Sequence, residues 1–264
     1  MINKRIRILL LSDIHSDFDK LKSVLNTLKP NSYDKVLVPG DNANLPLKDC
    51  VDENKKQESI DELILMLETI RITLGLSHKD IYFLPGNHDH KVFFEGIAVT
   101  EFTNMHLKRV ELDEGLFMVG IGGSVPGRFS ATGKHAFDGF PYESQEAIEN
   151  DIEKVKALIG EEEKQFILFT HSGPSKSGTS VINEPGEEEM LTGVDGFDSF
   201  LHNYQENMIF QVHGHSHYAN GCYNHLYIKV LNPGSISFTN TYGELILENE
   251  ANKWILRTFS INKF

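Results

Sequence analysis

Five short apolar runs in this chain each stop on side chains that bind metals or move protons, and this recurrence limits the possible folds more than any other feature. "IRILLLSDIHSD" runs into Asp13 and His15, "KVLVPGDN" into Asp41, and "IYFLPGNHDH" into Asn87, His88 and Asp89. "QFILFTHSG" ends on His171, and "MIFQVHGHSH" on His213, His215 and His217. Runs of this length and polarity predict buried strands. Between them apolar residues keep helical spacing: Phe18, Leu21, Leu25 and Leu28 before Pro30, then Ile60, Leu63, Ile64, Leu67, Ile70 and Leu74 before Gly75, a C-cap candidate. Ile148, Ile152, Val155 and Ile159 mark a third helix within 142–160. Alternating strands and helices indicate an α/β architecture, where ligands gather beyond the carboxyl ends of strands. Five such tips can therefore meet at one site.

Taken singly, each polar residue has an ordinary reading. Asp13 suits a helix N-cap, Asp41 and Asn87 suit turns after glycine, and a histidine is most often a satisfied core residue. Together, Asp13, His15, Asp41, Asn87, His171, His215 and His217 form a nitrogen and oxygen donor set without thiolate, enough for two divalent ions. Manganese, iron and zinc suit such donors. Two ions ~3.5–4 Å apart that share a carboxylate lower the pKa of a water held between them to about 7 and clamp phosphoryl oxygens. Glycines before Asp41, Asn87 and His215 allow the sharp turns that such an approach needs. If "VHGHSH" continues a strand, its period of two places all three histidines on one face.

Two Gly/Ser/Pro-rich stretches, 122–142 and 171–190, read as long loops, and loops of that length in a compact domain are usually functional or mobile. No repeat or linker divides the 264 residues, so one domain over 1–264 is expected. The longest apolar run, at residues 8–11, is far short of a membrane span, and the first strand leaves no room for a leader, which suggests a cytoplasmic protein without a membrane partner. Two cysteines, Cys50 and Cys222, without metal-motif spacing agree with a reducing compartment. A net charge of −13 with no basic stripe argues against nucleic acid as partner.

In order and spacing, "DIH" at 13–15, "GD" at 40–41, "GNHD" at 86–89, His171 and "GHSH" at 214–217 resemble the calcineurin-like metallophosphoesterase superfamily, and "NPGS" at 232–235 extends the likeness. The resemblance implies a four-layer αββα sandwich, with two facing mixed sheets flanked by helices. It implies one ion held by Asp13, His15, Asp41 and His217, a second by Asp41, Asn87, His171 and His215, and Asp41 bridging. It also makes His88 a non-ligand that stabilises the transition state and protonates the leaving oxygen, with Asp89 orienting it. His213 falls where the motif sets no requirement and reads as structural.

Departures narrow the class. Serine/threonine protein phosphatases of this superfamily carry an arginine soon after G-D and glutamate after G-N-H, where this chain reads "GDNANLP" and "GNHDH". An arginine that would clamp a phosphomonoester bidentately is thus missing. The expectation is a hydrolase of small soluble phosphoesters, with diesters such as cyclic nucleotides ahead of monoesters. The alternatives are a phosphatase or a binding scaffold on the same fold. Arg128, Lys134 and His135 sit in the first long loop within reach of substrate but read first as solvated loop residues, and His90 reads as a supporting or exposed residue.

Overall fold

The computed structural model describes residues 4–96, 100–161, 164–183 and 188–264. Its strands in chain order are β1 (Arg5–Leu10), β2 (Lys35–Val38), β3 (Ile81–Phe83), β4 (Thr103–Asn104), β5 (Arg109–Asp113), β6 (Leu116–Ile121), β7 (Gly127–Phe129) and β8 (His135–Phe137). They continue as β9 (Gln165–Thr170), β10 (Val181–Ile182), β11 (Met190–Leu191), β12 (Met208–Val212), β13 (Gly221–His225), β14 (Ile228–Asn232), β15 (Thr241–Glu250) and β16 (Lys253–Lys263). The helices are α1 (Phe18–Thr27), α2 (Lys56–Leu74), α3 (Glu149–Ile159), α4 (Asp195–Tyr204) and the single turn α5 (Ile236–Thr239).

The side-chain period of two sorts these elements into layers. On β1, Ile6, Ile8 and Leu10 enter one apolar core, while Leu9 and the following Leu11 enter another beside Leu21 of α1 and Leu67 of α2. On β9, Ile167 and Phe169 join the first core, and Phe166 and Leu168 face Ile152 of α3 and Phe200 of α4. The first core therefore lies between two sheets, and each outer face carries helices. One sheet has the order β16-β15-β1-β2-β3-β4 and the other β13-β14-β12-β9-β6-β5. In both, the strands that lead to the polar tips run parallel: β1 with β2 and β2 with β3, β9 with β12. The expected four-layer sandwich of facing mixed sheets is borne out.

Three expectations change. The 142–160 helix starts only at Glu149, because Tyr142 is buried and its hydroxyl bonds Asp151 Oδ2 at 2.7 Å, which draws the preceding segment across the helix start. The two long loops are not structureless: they contribute β7, β8, β10 and β11 to a small antiparallel sheet ordered β10-β11-β7-β8. Strands of two or three residues show no period, and the pairing of β7 with β11 joins segments far apart along the chain. Strand β12 stops at Val212, so the three histidines do not share a strand face; His215 adopts φ +63 and the backbone turns. The Gly75 cap of α2 stands at φ +70 as expected. Among the described residues no helix is long and apolar enough to cross a membrane.

Phe169 is fully buried at the centre of the core between the sheets. We expect Phe169→Ala to lower the unfolding free energy by about 3–5 kcal/mol. A fall in the urea midpoint at unchanged slope is the measurement that checks it.

Candidate metal centre

Strand tips from both sheets meet at one end of the sandwich, and backbone hydrogen bonds hold their loops in register. Asp13 N–H donates to Gly40 O at 3.2 Å and His15 N–H to Asp41 O at 2.9 Å, joining the loops after β1 and β2. Gly214 N–H donates to His171 O at 3.0 Å, joining those after β12 and β9. Across the sheets, His215 N–H reaches Asp13 Oδ1 at 2.9 Å. Asp13, His15, Ser16, Asp41 and His215 all take positive φ between +49 and +63. Left-handed backbone is tolerated by Asp and His but strained for β-branched residues, and such residues cluster where function demands them.

Close approach also requires glycine at two points. A Cβ on Gly86 would lie 2.2 Å from the Asp41 backbone nitrogen, and one on Gly214 would lie 2.1 Å from Ser12 Oγ. The "NPGS" residues complete the frame. Asn232 Nδ2 donates to Ser216 O at 2.9 Å, and Ser235 Oγ donates to Asp13 O at 2.8 Å.

The side chains fall into two groups. Asp13, His15, Asp41 and His217 bring ligand atoms within 4.8 Å of one another, and so do Asp41, His171 and His215. Asp41 belongs to both: its Oδ2 lies 3.6 Å from His15 Nε2 and 3.5 Å from His171 Nε2. Asn87 Oδ1 adjoins the second group, 3.0 Å from His171 Nε2. His217 Nε2 lies 3.2 Å from Asp13 Oδ1 and 3.1 Å from His15 Nε2.

These residues fit a pair of cations. His171 Nδ1–H donates to Pro39 O at 2.8 Å, which leaves Nε2 turned toward a carboxylate and an amide oxygen. His215 Nε2 is buried with no hydrogen-bond partner, and two imidazole nitrogens, those of His15 and His217, point at each other. Lone pairs thus converge with too few protons between them, an arrangement that costs free energy unless a positive centre fills it. Nitrogen and oxygen donors without thiolate suit divalent ions of borderline or hard character.

Charge follows the same plan. Burial would raise the Asp41 carboxyl, yet the imidazoles of His171, His15 and His88 outweigh it and hold it well below the usual carboxylate range. Burial opposes charge on His171, but the Asp41 carboxylate prevails and pushes that imidazole up to about 9. For His215, burial dominates and lowers it to about 3, so it is a neutral donor at any ordinary pH.

His88 stands beside the two groups without joining either. Its backbone N–H donates to Asp41 Oδ1 at 2.8 Å, and its Nδ1–H donates to Leu45 O at 2.9 Å. The Leu45 bond leaves Nε2 for whatever enters the cavity. Asp89 does not orient it, contrary to expectation. That carboxylate is fully buried and accepts from Gly86 N–H at 2.7 Å, Ala43 N–H at 2.8 Å and Asn42 Nδ2 at 2.9 Å, tying the loops after β2 and β3 together. His213 turns away to Thr179 Oγ1 at 2.8 Å, and burial lowers it to about 4. His90 is buried rather than solvated, accepting Val92 N–H at 3.1 Å. Arg128 pairs with Asp195 at 2.6 Å, His135 with Asp138 at 2.9 Å, and Lys134 is exposed.

Sequence reasoning passed over Asn42, whose backbone and side-chain N–H groups both grip Asp89, and Phe238, whose ring stacks on His217 at 4.5 Å between centroids. Asn42 follows Asp41 directly and could have been noticed; Phe238, 21 positions beyond His217, carries no such signal. A cavity of about 360 Å³ opens on the centre, bounded by Asp41, Asn87, His88, His215 and His217 and, opposite, by Leu47, Phe137, Asp138, Ile182, Met190 and Thr192. A larger groove of about 830 Å³, near Gly115, Gln165 and Asn207, lies at the other ends of β6, β9 and β12.

The Calcineurin-like phosphoesterase family model matches residues 6–219, most of the chain and every one of these tips. The chain belongs to that family. The metallophosphoesterase family binds divalent metals and acts on phosphoesters, in keeping with the donor cluster. No curated protein matches the chain in sequence. Among solved structures, TT1561 of Thermus thermophilus is 15% identical, with 98% of this chain and 99% of that one covered at a TM-score of 0.60, a likeness of fold. The calcineurin-like phosphoesterase YfkN from Bacillus subtilis is also 15% identical, with 99% and 91% covered at a TM-score of 0.48.

Because a methyl group at Gly86 would collide with Asp41 backbone, we expect Gly86→Ala to abolish stoichiometric metal uptake while the far-ultraviolet circular dichroism stays unchanged. Metal content of the purified variant by mass spectrometry is the check.

Proposed function

We propose that this metallophosphoesterase hydrolyses small soluble phosphoesters in the cytoplasm, phosphodiesters such as cyclic nucleotides ahead of monoesters, with a pair of divalent ions of which manganese is favoured. The observation that carries this reading is one buried carboxylate, Asp41, shared by two groups of donors, with a non-ligand histidine beside them. Asp13, His15, Asp41 and His217 would hold one ion, and Asp41, Asn87, His171 and His215 the other. When bound, the ions would supply Lewis acidity toward phosphoryl oxygens and an activated water.

The chain's own residues supply the rest. Asp41 Oδ1 and Leu45 O fix the His88 backbone and ring, so that Nε2 can present a proton to the leaving oxygen. Water oxygen joins phosphorus as the bond from phosphorus to the leaving alcohol breaks; the proton from His88 ends on that alcohol, and water's own proton passes to solvent. Asp89 positions the loops that carry Asp41 and His88 and takes no part in proton transfer. Among the described residues no lysine or arginine lines the cavity, so nothing there matches the second charge of a phosphomonoester dianion. That favours the singly charged diester.

The test is hydrolysis of bis(p-nitrophenyl) phosphate and of p-nitrophenyl phosphate by metal-stripped protein refilled with Mn²⁺. Faster release from the diester is expected. Faster release from the monoester would make the protein a phosphatase, and silence on both with two ions bound would make it a scaffold. His88→Ala should retain both ions and lose about 10²–10⁴-fold in rate. Undiminished turnover would remove His88 from the reaction.

A further inference from the structure

The small sheet β10-β11-β7-β8 stands over the metal centre, and its inward residues are apolar without a core to belong to. Phe137, Ile182, Met190 and, from the loop after β2, Leu47 line the cavity, yet none joins any of the three apolar cores. Phe137 meets His215 edge-on, with ring centroids 5.6 Å apart, so this wall reaches the donors themselves. The sheet is fastened in place. Thr192 Oγ1 bonds Ser216 Oγ at 2.5 Å, between two donor histidines, and Arg128 on β7 pairs with Asp195 of α4.

Its charge is as telling as its apolarity. Beyond the donor residues and His88, the only charged lining side chain among those described is the Asp138 carboxylate. The guanidinium that could have faced the cavity, Arg128, is turned to Asp195, and His135 is paired with Asp138 itself. In sequence, residues 183–189 between β10 and β11 read "NEPGEEE", with no basic residue. A second phosphate set against this wall would meet apolar carbon and a carboxylate, with no lysine or arginine among the described lining residues to replace its hydration.

We infer that the roof formed by Leu47, Phe137, Ile182 and Met190 is the specificity element and selects esters of a single phosphate bearing an apolar or aromatic group, against esters that carry a second anionic group. This rests on the phosphoesterase reading and narrows its substrate. The apolar wall takes the organic group; Asp138 and the missing cations exclude further phosphates.

The experiment uses Mn²⁺-loaded protein and the p-nitrophenyl esters of phenylphosphonic and methylphosphonic acid, which share a leaving group and charge. The parent should prefer the phenyl ester by about tenfold in kcat/KM, and in an Ile182→Ser/Met190→Ser variant the phenyl-to-methyl ratio should fall toward one. Calorimetric binding of phenylphosphonate against methylphosphonate should show the same tenfold ratio in the parent, without any turnover. Thymidine 5′-(p-nitrophenyl phosphate) should react at least about tenfold faster than its 3′-phosphorylated form. Hydrolysis of both phosphonates with no phenyl preference, or a preference that survives in the variant, overturns the inference and leaves the phosphoesterase reading standing. Equal rates on the two thymidine esters overturn the exclusion of a second phosphate. No release from any ester with two ions bound overturns the phosphoesterase reading and this one with it.

Discussion

A single buried carboxylate organises this molecule's working end. Asp41 faces imidazoles from β1 and β9, two different sheets, and holds the His88 backbone with its other oxygen. A fully buried anion is tolerable only when paired, and here its partners are the imidazoles of His171, His15 and His88. The two sheets are thus joined at this end by electrostatics, and deeper down by Phe169, Phe210 and the other apolar side chains between them. The centre requires the sandwich to bring its donors together, and the loops tolerate their left-handed residues because the packed strands beneath leave them no alternative.

This also explains the division of labour among residues close in sequence. Asn87, His88, Asp89 and His90 are consecutive, yet one adjoins the donors, one lines the cavity, one ties loops together and one supports a helical turn. Turning backbone sends successive side chains in unrelated directions, so adjacency in the chain says little about shared role. The same turn at His215 separates His213, held by Thr179, from His215 and His217 at the centre.

Opposite the donors, the cavity is walled by a sheet too small to have a core of its own. Its strands are two or three residues long and depend on anchors to the larger body, at Ser216 and Asp195. The donor groups therefore sit at the ends of the large sheets' strands, and the wall that faces them sits on short loop-borne strands that touch them through Phe137 and Ser216.

The sequence by itself determined a great deal. Apolar runs that end in acid, amide or imidazole specified the strands and the layered α/β class and marked the candidate donors, because period and motif spacing are local properties of the chain. Helical spacing marked α1 and α2, with Gly75 as the cap. Only the tertiary structure decided that the five tips divide between two sheets, that Asp89 grips Asn42 and Ala43 instead of His88, and that Phe137, Ile182 and Met190 roof the cavity. Those facts depend on pairings between segments tens of residues apart, such as β7 with β11, where strands of two or three residues leave no periodic trace and only the packed body fixes the partner.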